Sequence, residues 1–201
     1  MMIKTTLAAV AALALAACAQ TGSSNMNSSV RNTPSMGSPT TGMPAMMFSQ
    51  AGLPDAVKVP AGNRVAMETV GVGQITYECK AKANMPGQFE WVFAGPDAKL
   101  MDRSGKQVGK YYGPPATWEA MDGSKFTATQ VAVAPGGEGN IPLQLVKANP
   151  AMGMGAMNGV TYTQRVATKG GVAPATACGA SNMGAKQIVQ YQADYIFYKA
   201  S

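Results

Sequence analysis

The chain of 201 residues contains no histidine. That absence removes the commonest general base, the commonest metal ligand, every Ser–His or Cys–His nucleophile pair and zinc sites of the usual Cys/His type. Charge is sparse: only 13% of residues are Asp, Glu, Lys or Arg, so isolated carboxylates are thin support for acid–base chemistry. No segment carries a convincing amphipathic helix, because 23 Gly and 13 Pro interrupt the pattern too often. The apolar run Leu7 to Ala17 has eleven residues, against about 20 for a membrane-crossing helix.

That short run has another use. With Lys4 before it, it fits the hydrophobic region of an export signal. It ends in Leu15-Ala16-Ala17-Cys18, which resembles the bacterial lipoprotein cleavage box, where the Cys is acylated and becomes the mature N-terminus. An ordinary secretory signal that happens to contain a Cys is the alternative. The sequence thus predicts a lipoprotein signal peptide over 1–17 and a lipid anchor at Cys18 within 18–52. The rest of 18–52 is a disordered Met/Ser/Pro/Gly-rich tether whose only charge between Gln20 and Gln50 is Arg31. A β-rich domain follows over 53–201. Ala19 stands where an inner-membrane retention Asp would be, which favours the outer membrane. The membrane is then a partner through the lipid, and nucleic acid is not. Loss of Lys4 leaves 15 basic against 10 acidic residues, a modest +5.

Once Cys18 carries lipid, Cys79 and Cys178 remain. A pair in an exported protein reads as a disulfide. The alternative, two catalytic thiols, lacks both a CxxC spacing and an activating His.

Period-two alternation dominates the domain. It sets Ile75, Tyr77 and Cys79 against Thr76, Glu78 and Lys80, and Phe89, Trp91 and Phe93 against Gln88, Glu90 and Val92. It also sets Tyr191, Ala193, Tyr195 and Phe197 against Gln192, Asp194, Ile196 and Tyr198. Val160 to Val166 alternates too, Phe126 to Val133 breaks phase near Gln130 as a bulge would, and Ile141 to Lys147 reads as a further strand. Asp102–Gly105 and Met121–Ser124 read as hairpin turns. Short helical turns are expected near Pro96–Ala98 or Ala148–Pro150. The prediction is all-β: a single antiparallel sandwich or barrel-like domain with long Gly/Pro loops.

A set of motifs then lines up in order. Tyr77-Glu78-Cys79 and Trp91-Val92-Phe93 lead to Gly95-Pro96-Asp97-Ala98-Lys99-Leu100. Tyr112-Gly113-Pro114, Thr117-Trp118-Glu119 and Asp122-Gly123-Ser124 follow. Ile141-Pro142-Leu143, Thr161 to Val166, Gly170-Gly171, Cys178 and Tyr191 to Tyr198 close the series. Over about residues 53 to 199 this resembles domain of unknown function family 3455, found in secreted and lipid-anchored proteins of bacteria and fungi. The resemblance implies kinship and no activity. Relatives often carry His before the Tyr-x-Gly-Pro element; Tyr111 stands there in this chain, so chemistry resting on that His would be absent or altered.

The candidate ligand-binding group is Tyr111, Tyr112, Trp118 and Glu119, aromatics beside a carboxylate that can stack a sugar or hold a small molecule. The competing reading makes Trp118 and one Tyr core residues and pairs Glu119 with a Lys. Glu119 with Asp122, or Glu78 with Glu90, are the carboxylate pairs a glycan hydrolase would need. Lys99, Arg103, Lys106 and Lys110 form a loose basic patch suited to anionic lipid, and Gln164, Arg165 and Asp194 are an internal polar group. Met43, Met46 and Met47, and Met152, Met154 and Met157, are the Met clusters on which a copper-binding alternative rests. No catalytic residue, metal or cofactor is assigned. The expected role is a non-catalytic binding or structural module displayed at the outer membrane, with an envelope glycan or small ligand as candidate partner; a carboxylate-dependent hydrolase of an envelope or environmental glycan and Met-based copper binding are the alternatives.

Overall fold

The computed structural model describes residues 48–201; the signal segment, Cys18 and the tether up to Met47 lie outside the described residues. The described chain forms eight antiparallel strands, β1 (Asn63–Ala81), β2 (Phe89–Met101), β3 (Gln107–Tyr112), β4 (Thr117–Ala120), β5 (Lys125–Ala134), β6 (Leu143–Ala148), β7 (Val160–Gly170) and β8 (Lys186–Ala200). Each pairs with its sequence neighbours, and β8 returns to β1, so the sheet closes into an up-and-down barrel with no free edge. Of the two all-β expectations the barrel is realised. The bulge expected near Gln130 is present, between Gln130 and Ala132.

The interior follows from the alternation. Tyr191, Ala193, Tyr195 and Phe197 of β8 point inward with Ile75, Leu100, Tyr111, Trp118 and Phe126. Cross-strand register places Tyr111 beside Trp118 and Trp118 beside Phe126. Their rings stack at centroid distances of 4.5 and 5.3 Å, a packing of aromatic pairs worth about 0.5–1.5 kcal/mol each beyond burial. β1 leaves room for this bulk. At Gly71 an added Cβ would run into the Tyr195 ring.

The helical turns fall elsewhere than expected. Pro96–Ala98 lies inside β2, and among the described residues the two short helical turns are Asp55–Val57 and Ala180–Asn182. Pro96 is tolerated because β3 begins its pairing one residue later, at Asp97, so the missing N–H opens no gap in that ladder.

A second cluster lies outside the barrel wall. Val57 and Val59 pack with Ala134, Leu145, Val166, Ile196 and Tyr198. The segment before β1 therefore covers part of the outer face of β5 to β8, and Ala134, Leu145, Val166, Ile196 and Tyr198 are buried there although they point away from the barrel interior. Gln164, fully buried on that face, donates to the Val57 carbonyl and, at 2.8 Å, to Gln50 Oε1, while its own Oε1 accepts the Tyr198 hydroxyl at 2.8 Å.

Candidate functional site

Meander topology puts the connections 82–88, 113–116, 135–142 and 171–185 at one end of the barrel, and 102–106, 121–124 and 149–159 at the other. The second end is closed. Asp122 and Ser124 accept the backbone N–H groups of Ala156 and Met157 at 2.7 and 3.0 Å, and Met152 and Lys125 exchange backbone bonds. Held in this way, Met157 is buried in the core as a plug.

The first end is half closed. At Gly171 the backbone turns with φ +80°, and a Cβ there would crowd Tyr191, Ile141 and Ile75. The Gly171 carbonyl accepts the Tyr77 hydroxyl at 2.8 Å. The loop it begins is tied down by the Cys79–Cys178 disulfide, with Cα atoms 5.5 Å apart, and by Trp91 Nε1 donating to the Thr176 carbonyl at 2.7 Å. A closed loop of about 100 residues is worth about 4.7 kcal/mol in the chain-entropy account.

At the same end a cavity of about 370 Å³ opens, lined by Phe93, Tyr111, Ala116, Trp118, Ala128, Gln130, Gln144, Val146 and Arg165. Its floor is aromatic and aliphatic, and Phe93, 50% exposed, stands at its rim. Gln144 donates to Gln130 at 2.6 Å. Arg165 donates through Nε and Nη2 to the Pro142 carbonyl, at 3.1 and 3.0 Å, and forms no ion pair among the described residues. Burial pushes the phenols of Tyr77, Tyr111, Tyr191 and Tyr195 above their usual range, and the Arg165 charge pulls each partly back.

The candidate group Tyr111, Tyr112, Trp118 and Glu119 is divided by strand alternation. Tyr111 and Trp118 face the cavity. Tyr112 and Glu119 face outward, where Tyr112 donates to Glu119 at 2.7 Å and Lys110 pairs with Glu119 at 3.2 Å. The Tyr112 hydrogen bond, aided by Lys110, lowers the Glu119 carboxyl below its usual value, and the same bond raises the Tyr112 phenol. Asp122 is lowered by its bond from Ser124. Carboxyls held ionised in this way are poor general acids, which need the opposite shift. Glu78 pairs with Lys80 at 3.3 Å.

The expected polar group of Gln164, Arg165 and Asp194 does not form. Gln164 and Arg165 are consecutive on a strand and face opposite sides. Asp194 takes Arg103 instead, at 2.9 Å, and Glu68 shares that guanidinium at 3.0 Å. With Lys110 on Glu119 as well, two members of the expected basic patch are used in ion pairs. The Met152–Met157 cluster is split between buried Met157 and Met154, which is 85% exposed.

The alternation of β7 is legible, but alternation alone does not tell which of its faces turns inward. The strand carries Thr163 and Arg165 inward, because Tyr162, Gln164 and Val166 are covered from outside. Gln130, Gln144 and Val146 gave no signal of their own. They become lining residues only when β5, β6 and β7 are set side by side.

No curated protein and no solved structure gives a significant match. Residues 60–199 match the family described as "Protein of unknown function (DUF3455)", and the chain belongs to that family.

Proposed function

We propose that this protein is a cell-envelope lipoprotein, anchored to the outer membrane through Cys18, whose barrel binds a small molecule without transforming it. The observation that carries the binding reading is the cavity at the half-closed end of the barrel. At about 370 Å³ it lies at the small end of the range for ligand sites, about 300–1,000 Å³, and it has their make-up of apolar walls with a few polar groups. Its lining holds phenol, indole, amide and guanidinium groups and no carboxylate or thiol, a set suited to holding a ligand rather than to acid–base or nucleophilic chemistry. The volume suits a compact molecule better than a polymer segment. The disulfide agrees with an oxidising compartment.

The test uses two fluorescent dyes of the same shape, neutral N-phenyl-1-naphthylamine and anionic 1-anilinonaphthalene-8-sulfonate. At least one should brighten on the folded protein. Ala128→Leu and Val146→Phe, which fill the cavity, should abolish the signal. Filled variants that keep native near-ultraviolet dichroism and still bind dye, or a wild type that binds neither, would sink the binding reading.

A further inference from the structure

We infer that the cavity selects a ligand with one negative charge on an apolar, preferably aromatic, body, with Arg165 as its anion anchor. This rests on the binding reading above and names the ligand class for the same site.

Arg165 is the one charged residue in the lining. A guanidinium has five N–H donors. Two point at the Pro142 carbonyl, so three remain, on the planar fork that matches a carboxylate or sulfonate. No carboxylate neutralises it among the described residues. Arg165 is half-buried, and a ligand anion supplies it with a counter-charge. A single cation favours a monoanion over a phosphate dianion.

Amides extend the polar side. Gln144 is the cross-strand partner of Arg165, and it spends one N–H on Gln130. Its second N–H and the Gln130 amide group are free to bind an anion's remaining oxygens. Trp118, on the lining, and Thr163, on the inward face of β7, also carry buried polar atoms with no partner among the described residues.

The rest of the lining is apolar. Phe93, Ala116 and Trp118, with Ala128 and Val146 from the same strands as the two glutamines, give flat and aliphatic surface. Val133, next to Gln144 in register and 46% exposed, continues that surface at the rim. A ligand with its charge at Arg165 thus lays its body across the indole and under the half-exposed Phe93 ring.

The two dyes share a body and differ in the sulfonate, so their affinity ratio reads the anchor. The wild type should bind the sulfonate at least about tenfold tighter, the scale of one charge-assisted hydrogen-bonded contact. Arg165→Gln should bring the ratio close to one by weakening the sulfonate and leaving the neutral dye. Gln144→Glu, which keeps Arg165 and sets a carboxylate beside it, should do the same and covers the case in which Arg165→Gln does not fold. Arg165→Lys should keep part of the preference. Equal binding of both dyes by the wild type, or a preference that survives Gln144→Glu in a folded protein, overturns the anion assignment and leaves the binding reading standing. Binding of neither dye overturns both.

Discussion

Tyr111 and Tyr112 are adjacent and chemically identical, yet the barrel gives them different work. A strand sends successive side chains to opposite faces. Tyr111 therefore joins the interior stack with Trp118, while Tyr112 holds Glu119 on the outer wall, where the Lys110 ammonium lies 5.1 Å from its ring centroid. The outer pair has a pH signature. Because the folded Glu119 carboxyl is depressed, its contribution is fully present above the unfolded value of about 4.3 and is lost as pH falls through the folded value. Tyr112→Phe should lower stability by about 1 kcal/mol at pH 7, the scale of an exposed charge-assisted bond. That gap should shrink as the pH falls below the ordinary carboxyl value and the folded carboxyl takes up its proton. Thermal melts across this range check it; an equal gap at pH 3 and pH 7 would contradict the assignment.

Among elements, the connection 149–159 shows how a loop is made into a floor. The sequence marks Asp122-Gly123-Ser124 as a hairpin turn, and such it is, but its side chains bond to a segment more than 30 residues away, the separation from Asp122 to Ala156 being 34. That partnership places Met157 in the core. Met157→Ala should cost about 2–5 kcal/mol in urea melts, as truncation of a buried Met does. Asp122→Ala, which removes only the clamp, should cost less and should make the 149–159 segment the first site of limited proteolysis. A Met157→Ala protein as stable as the wild type would show that the plug bears no load. The strands themselves were largely legible, since Ile75 to Cys79 and Tyr191 to Tyr198 alternate in the open and Phe126 to Val133 breaks its phase at the bulge. What stayed hidden was the sidedness of β7 and the burial of Ile196 and Tyr198, because alternation tells that two faces differ and not which one a neighbouring segment will cover.

At the scale of the whole molecule, the disulfide, the covering segment 48–60 and the loop 171–185 fix one barrel with one half-open end. The described chain begins at Phe48, whose N–H donates to Glu68 Oε1 at 2.7 Å. With the proposed anchor at Cys18, metabolic labelling with a clickable fatty acid should mark the wild type and not Cys18→Ala, which should leave the membrane fraction; a labelled Cys18→Ala protein would refute the anchor.

By itself the sequence determined that the domain is made of strands, that its two later cysteines belong together and that histidine chemistry is closed to it. These are local or compositional facts: side-chain period, Gly/Pro punctuation, and which residue types exist at all. Only the tertiary structure decided that the sheet closes on itself, that Tyr112 and Glu119 leave the site, and that Arg165, Gln144 and Gln130 enter it. Those outcomes depend on strand register, and register is set by contacts between residues far apart in the chain.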